Sequence, residues 1–283
     1  MKIGAMINGF RRPTFAENLE VAATLGIDGV QFYVSDDLPD EVVKDHLDRI
    51  KDKGMVFSAL CGDIGGYDDP DANKEKVDRF KRILDLSKKL ECGIVTTHIG
   101  KIPEDTTCVK YNTMFEACKS IADYAASIGA TFAIETGPEK AIYLKEFLDK
   151  LESKGIGVNL DPANLVMCSH DDAAFAANVL SDYIVHTHAK DGVNLKACDR
   201  HKIYGFFATG GDGGDLRDMP IWEYFKEVPL GQGSVDYDAY LAALAAIGHK
   251  GYLTIEREVG ADPAADIGLA VNFLKEKTAK YEL

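Results

Sequence analysis

Several features that would place the chain in a familiar class are missing from its 283 residues. No apolar run approaches the eighteen or more residues that a membrane-spanning helix requires. The six cysteines show no CxxC spacing, and the start MKIGAMINGFRRP becomes polar too soon for a signal peptide, so we expect a reduced, cytoplasmic protein. Neither GxGxxG nor GxxxxGKS/T follows the first predicted strand, which argues against a nucleotide-binding loop.

Basic clusters are missing as well. The chain has 32 lysines and arginines against 46 acidic residues, a formal net charge of −14, and no run of Lys and Arg is longer than two residues. Such a field repels nucleic acid and anionic membranes. We therefore expect a small-molecule substrate, and neither nucleic acid nor a membrane as partner.

What the sequence does contain is a repeat of short apolar strand, polar turn, amphipathic helix and glycine. The clearest helix is VDRFKRILDLSKKL, in which Val77, Phe80, Ile83, Leu84 and Leu90 share one side. The strands are apolar throughout, as expected when both faces of a parallel sheet are covered. The predicted strands are KIGAMI (2–7), GVQFY (29–33), MVFSALC (55–61), IVTTHIG (94–100), TFAIETG (131–137), IGVNLD (156–161), IVHTHAK (184–190) and YLTIERE (252–258).

Eight such units predict an α/β fold, a single-domain (β/α)8 TIM barrel over residues 1–283. An open, doubly wound sheet is the structural alternative. Glycines between helix and strand are expected to end helices in the left-handed conformation; they are Gly26, Gly54, Gly93, Gly129, Gly155 and Gly248.

One segment interrupts the repeat. From about Val193 to Leu230 no clear strand or long helix is predicted, although the segment holds ATGGDGGD and the single tryptophan, Trp222. A connection of this length is usually functional or disordered, and the aromatic residues argue against simple disorder. Two interpretations stay open: a lid over the active site, or a surface excursion that forms a subunit contact in a homo-oligomer.

Polar residues stand at the carboxyl ends of the later strands, where a barrel of this kind has its active site. They are His98, Glu135, Asp161, His186, His188 and Glu256. Each has an ordinary explanation by itself: Asp161 precedes Pro162, for example, and Asp-Pro is common turn chemistry. Together they would converge on one rim, where unpaired charge is costly unless a cation neutralises it.

A divalent metal is therefore predicted. Our chosen ligands are Glu135, Asp161, His188 and Glu256, a set rich in hard oxygen donors. It favours Mn²⁺ or Mg²⁺, with Co²⁺, Fe²⁺ or Zn²⁺ as alternatives. We prefer His188 to His186 because it lies nearer the carboxyl end of its strand, whereas His186 is better placed to orient or contact the substrate.

These motifs resemble the xylose isomerase-like TIM-barrel superfamily, and within it the sugar phosphate isomerase/epimerase group with the D-tagatose 3-epimerase-like enzymes. The resemblance covers nearly the whole chain and rests on the order of IET (134–136), LDPAN (160–164), HTHAKDG (186–192), LGQGSVDYDAYLAAL (230–244) and TIERE (254–258). It implies a metal set of Glu135, Asp161, His188 and Glu256, with the two glutamates as the catalytic pair.

The chain departs from that pattern in two places. Asn164 stands where the tagatose-epimerase-like members have a histidine, and their arginine after strand seven is not in register here, so either Lys190 or Arg200 takes its role. Arg11 and Arg12 are either solvated or bind a carboxylate or phosphate. The residues assigned to substrate binding are His98, Asn164, His186, Lys190 and Arg11.

The function implied is a metal-dependent epimerase or isomerase of a sugar or polyol-derived substrate. It would act by proton abstraction next to a carbonyl, through an enediolate. A lyase on the same scaffold, similar to inosose dehydratases or to a C-glycoside-cleaving subunit, is the alternative. An apurinic endonuclease would need more histidines at the rim and a less acidic chain, and a non-catalytic sugar-binding barrel is disfavoured by the presence of both glutamates.

Overall fold

A closed barrel of eight parallel strands forms the centre of the protein in the computed structural model, which describes residues 1–196 and 223–281. The barrel strands are β1 (Lys2–Met6), β2 (Gly29–Tyr33), β3 (Val56–Cys61), β4 (Ile94–Thr97), β5 (Thr131–Glu135), β6 (Ile156–Leu160), β7 (Ile184–Ala189) and β10 (Tyr252–Ile255). They pair in this order around the barrel, and β10 closes it against β1. The predicted (β/α)8 class is confirmed, and the open-sheet alternative is excluded.

Helices follow the strands along the chain. They are α1 (Phe15–Leu25), α2 (Asp40–Asp52), α3 (Pro70–Lys89), α4 (Val109–Ile128), α5 (Ala141–Leu151), α6 (Pro162–Asn164), α7 (Ala173–Val179), α8 (Tyr237–Ala246) and α9 (Pro263–Thr278). The apolar side predicted for α3 is buried, and its Phe80 packs edge-to-face on Phe132 of β5 with ring centroids 5.1 Å apart. Within the two described ranges, no helix is both long and apolar enough to cross a bilayer.

An Asp-Pro pair starts three of these helices. Asp69, Asp161 and Asp262 each cap the helix that the following proline begins, and each side chain accepts backbone N–H bonds of the first turn. Proline suits the first helical position because its fixed φ is helical and its missing N–H has no partner there. The sequence therefore fixes the backbone at Asp161, directly after β6.

Two of the predicted glycines do not end their helices. Helix α3 ends at Lys89, and the left-handed residue that follows is Glu91, with a φ of 60°, ahead of Gly93. Gly129 ends α4 with a φ of 64°, as expected. Helix α5 instead ends at Glu152, which itself has a φ of 47°. Gly155 is needed for a different reason: a Cβ there would lie 2.1 Å from the carbonyl oxygen of Ala122 in α4.

The strands are less uniformly apolar than the sequence suggested, because polar side chains fill part of the barrel interior. Gln31 of β2 donates to Thr96 of β4 at 2.7 Å, and its side-chain oxygen lies 2.9 Å from Nε2 of His188 in β7. None of these strands is adjacent to another, so the contacts cross the inside of the barrel.

Two short strands, one near each end of the segment between β7 and α8, pair as a small antiparallel sheet. Strand β8 (Asp191–Asn194) pairs with β9 (Phe225–Val228), two strands that the sequence pattern did not indicate. The Asp191 carboxylate anchors the loop that follows β9, since it accepts backbone N–H bonds from Gly231, Gly233 and Val235. Most of the segment predicted as lid or subunit contact, including Arg200, Gly210 to Gly214 and Trp222, lies outside the described residues.

Candidate active site

Four ligand-type side chains meet at the carboxyl end of the barrel. Glu135 is the last residue of β5, Asp161 directly follows β6, His188 lies in β7, and Glu256 directly follows β10. These four strands are consecutive around the barrel. One ligand atom from each residue lies within 4.8 Å of the others. The structure thus brings together all four residues that we predicted as metal ligands.

Nδ1 of His188 is the common point of the cluster. It lies 3.3 Å from Asp161 Oδ2, 3.4 Å from Glu256 Oε2 and 3.6 Å from Glu135 Oε1. Burial by itself would lower the pKa of His188, but the carboxylates of Glu256 and Glu135 and the bond to Asp161 raise it well above its ordinary value. In the metal-free protein, a proton on His188 therefore supplies part of the positive charge that this cluster requires.

These residues fit a divalent cation. Glu135, Asp161 and His188 are buried and Glu256 is partly buried, so the negative charge of three carboxylates is held away from water. That arrangement is unfavourable unless a cation compensates it. The oxygen-rich donor set, with one imidazole nitrogen, suits Mn²⁺ or Mg²⁺ better than a thiophilic metal.

Two amide side chains support the ligands from within the barrel. Nε2 of His188 lies 2.9 Å from Gln31 Oε1. A cation held by Nδ1 would leave the ring hydrogen on Nε2, from where His188 would donate it to Gln31. Asn159 donates to Glu135 Oε2 at 2.9 Å. Our reading of the sequence missed both residues. The available signal was a single amide inside an otherwise apolar strand, in GVQFY and in IGVNL.

Asp161 uses its two oxygens for different purposes. Oδ1 accepts the backbone N–H groups of Ala163 and Asn164 at 2.8 and 3.0 Å, which leaves Oδ2 to face His188. The Asn164 side chain, which we assigned to substrate, donates to Glu135 Oε1 at 3.1 Å. In this arrangement Asn164 orients Glu135, one of the four predicted metal ligands.

His98 faces Glu135 from β4. Its Nε2 lies 3.5 Å from Glu135 Oε1, and its Nδ1 lies 3.0 Å from Asp63 Oδ2. Burial opposes the charged form, yet Glu135 and Asp63 raise the pKa of His98 to about 10. A protonated imidazole therefore stands beside Glu135. Asp63, in the loop after β3, was missed from the sequence because it does not directly follow its strand.

Lys190 directly follows β7 and contacts the other glutamate. Its buried ammonium donates to Glu256 Oε2 at 2.7 Å and also to Glu258. Burial disfavours the ammonium, but Glu256 and Glu258 raise the pKa of Lys190 well above its ordinary value. Conversely, burial would raise the pKa of Glu256, but Lys190 and His188 hold it well below the usual range. Glu256 is therefore ionised, as a ligand and base must be.

The two remaining predicted residues lie apart from this cluster. His186 is 1% exposed and its Nε2 lies 3.0 Å from Thr254 Oγ1 inside the barrel. Burial, followed by the nearby His188, lowers its pKa well below the ordinary value. This neutral, enclosed position favours a packing role over the substrate contact that we expected. Arg11 is exposed at the rim, and its guanidinium donates to the backbone oxygen of Glu258.

The protein is therefore a parallel barrel whose carboxyl-terminal rim carries carboxylate and histidine side chains. Residues 19–277 match the family described as xylose isomerase-like TIM barrel, and the chain belongs to this family. The resemblance drawn from the sequence motifs is therefore confirmed. No curated protein sequence matches the chain.

Solved structures resemble the chain over nearly its full length. A xylose isomerase domain protein from Planctomyces limnophilus is 24% identical, with 93% of both chains covered and a TM-score of 0.75. The 3-keto-D-glucoside 4-epimerase YcjR from E. coli is 16% identical, with 98% of this chain and 99% of that chain covered and a TM-score of 0.73. The probable 3-DHS dehydratase AsbF from Bacillus anthracis is 17% identical, with 97% and 99% covered and a TM-score of 0.71. At these identities the likeness shows the shared fold.

Proposed function

We propose that the chain is a divalent-metal-dependent epimerase of a sugar or sugar derivative that moves a proton next to a carbonyl group. The observation that carries this proposal is the placement of the two glutamates. Glu135 on β5 and Glu256 after β10 flank the two strands that bear Asp161 and His188, and both approach the same nitrogen, at 3.6 and 3.4 Å. Two ionisable carboxylates thus face one point from either side.

The chemistry assigns a role to each of these residues. A bound cation would act as a Lewis acid that makes the proton next to the carbonyl easier to remove. One glutamate, as the carboxylate, takes this proton and leaves an enediolate. The other must enter the step carrying a proton, which it gives up from the opposite face; this inverts the carbon centre and leaves the proton on the first glutamate, from which solvent removes it. Return at the neighbouring carbon would instead interconvert an aldose and a ketose. Lys190 keeps Glu256 ionised, and His98 and Asn164 orient Glu135.

Similar proteins support this class of reaction. A 3-keto-glucoside epimerase shares the fold over almost the entire chain. The donor set favours Mn²⁺ as the resident ion, for the reasons given above. The substrate expected is a small keto sugar or an oxidised polyol.

Solvent deuterium provides the direct test. The protein loaded with Mn²⁺ is incubated in D₂O with a panel of ketohexoses, 3-keto-glycosides and inososes, and the products are followed by NMR and mass spectrometry. Proton transfer through the two glutamates should place deuterium on the carbon that is inverted. Product without deuterium, even after a long incubation, would exclude two-base proton transfer and indicate a hydride shift.

A lyase remains the second candidate because of one specific feature. Elimination requires an acid that protonates the departing hydroxyl group, and His98, held protonated between Asp63 and Glu135, is placed to supply one. A probable dehydratase also shares the fold. In the same assay, an unsaturated product that has lost one water would favour this reaction over epimerisation.

A further inference from the structure

Glu227 is a buried carboxylate that the proposed mechanism does not use. It lies on β9, opposite Gly192 of β8, and is 8% exposed. Its Oε1 accepts hydrogen bonds from Arg257 Nη1 at 2.5 Å and from the backbone N–H of Glu258 at 3.1 Å. Its Oε2 lies 3.9 Å from the ammonium of Lys190. Strand β9 thereby places a carboxylate against Arg257 and Glu258, the two residues that follow Glu256 in the chain.

Lys190 is the group that Glu227 and Glu256 have in common. The lysine ammonium has three hydrogens to donate, and Glu256, Glu258 and Glu227 all face it. The oxygen of Glu256 that Lys190 holds, Oε2, also faces Nδ1 of His188 at 3.4 Å. If Lys190 bound this oxygen more strongly, the oxygen would be less available to a cation beside His188 Nδ1.

We infer that Glu227 is a positioning residue for Glu256: it shares the charge of Lys190, so that Glu256 Oε2 stays directed at the cation. This inference rests on the proposed function, because it assumes that Glu256 is a metal ligand and base. Removal of the Glu227 charge should leave Lys190 to bind Glu256 and Glu258 alone, and Glu256 should then be drawn away from the metal position.

A purely structural role for Glu227 would be to hold β9 against Arg257. The chain offers a matched control for it. Asp266, at the start of α9, binds the same guanidinium at 2.8 Å through Nε, and none of its described contacts is with Lys190. Asp266→Asn therefore removes one negative charge and weakens one hydrogen bond from Arg257, as Glu227→Gln does, without the contact to Lys190.

The test measures Mn²⁺ affinity by calorimetry on folded protein, with Lys190→Met as the second arm of a double-mutant cycle. Glu227→Gln should weaken Mn²⁺ binding about tenfold, the lower end for a residue that supports a metal ligand. Asp266→Asn should change it by less than about threefold. In the Lys190→Met background the effect of Glu227→Gln should disappear, because the route through Lys190 is gone.

Each other result overturns the inference. Equal losses in Glu227→Gln and Asp266→Asn would show that only charge or the Arg257 bond matters, and a loss that persists without Lys190 would exclude the proposed route. Wild-type protein that binds no Mn²⁺ would refute the proposed function as well, whereas normal binding by both wild type and Glu227→Gln refutes the inference alone. If Glu227→Gln does not fold, Glu227→Asp, which withdraws the carboxylate by one methylene, must show a Lys190-dependent loss.

Discussion

Nε2 of His188 lies 2.9 Å from the side-chain oxygen of Gln31, on a strand separated from β7 by β1 and β10. The hydrogen bond crosses the barrel interior and selects the imidazole tautomer whose Nδ1 is free for a cation. The proposed metal site should therefore depend on Gln31, three strands away around the barrel, and this dependence can be measured.

Gln31→Leu should bind Mn²⁺ about 10- to 100-fold more weakly than the wild type, because the His188 tautomer loses its partner. Calorimetry on the folded variant measures the effect. Thr96→Val serves as the control, since it removes only the acceptor of the Gln31 amide at 2.7 Å and should have a smaller effect. Unchanged affinity in Gln31→Leu would mean that the tautomer is set elsewhere.

Metal binding should release protons. The raised pKa of His188 means that the metal-free site holds a proton on the imidazole, which a cation on Nδ1 must displace. Mn²⁺ affinity should therefore fall as the pH is lowered, and calorimetric heats should differ between buffers of different ionisation enthalpy. His188→Ala should lose the ion and this proton release together, and chelated wild-type protein should have no activity until Mn²⁺ is restored.

The two glutamates should be essential for turnover. Glu135→Gln and Glu256→Gln each keep the shape of the side chain and remove its capacity to accept a proton. Each should reduce the rate at least about 100-fold, the usual contribution of a positioned base, while the barrel stays folded by circular dichroism. One of the two variants is expected to exchange deuterium from a single face without completing conversion. Near wild-type turnover in either variant would contradict its assignment.

Glu139, in the loop after β5, should make the protein less stable as the pH rises. It is buried, its Oε2 has no hydrogen-bond partner among residues 1–196 and 223–281, and burial raises its pKa to about 7. The unfolded chain ionises this carboxyl near its ordinary pKa, whereas the folded chain keeps it protonated, so stability is lost between about pH 4.5 and pH 7. Glu139→Gln should reduce this loss by about 2 to 3 kcal/mol in urea unfolding.

An exposed position provides the comparison for that measurement. Glu75→Gln, on the solvent side of α3, should leave the pH dependence of unfolding as it is in the wild type. If Glu139→Gln and Glu75→Gln have the same pH profile, Glu139 is ionised in the folded protein.

Gly155→Ala should destabilise the fold. The added Cβ would meet backbone atoms of α4, Ala122 O at 2.1 Å and Ala126 N at 2.3 Å, which cannot move independently of the helix. We expect a loss of about 3 kcal/mol in urea unfolding. Gly54→Ala is the matched control: it has a φ of 68° and open space around it, so only the left-handed backbone is strained, by about 1 kcal/mol. Equal losses would mean that α4 shifts without cost.

Local patterns in the sequence were sufficient for the barrel and for its rim. Apolar strands alternate with amphipathic helices, and Asp-Pro at 161–162 fixes the turn that presents the Asp161 carboxylate. His98, Asp161, Lys190 and Glu256 are each the first residue after a strand, although all four of these strands are shorter than predicted. Parallel strands must carry their carboxyl ends to one rim, so this convergence follows from chain order alone.

Which side chains these rim residues contact depends on how the strands are staggered in the closed barrel. The pairing of β6 with β7, for example, shifts register between Val158 and Asn159. Such a shift cannot be read from the local pattern of apolar residues. That pattern indicates on which face of the sheet a side chain lies, but not its position along the barrel axis relative to the neighbouring strand. For this reason the sequence assigned both His186 and His188 to the site, as substrate contact and as metal ligand, yet His186 is enclosed beside Thr254 and only His188 lies among three carboxylates.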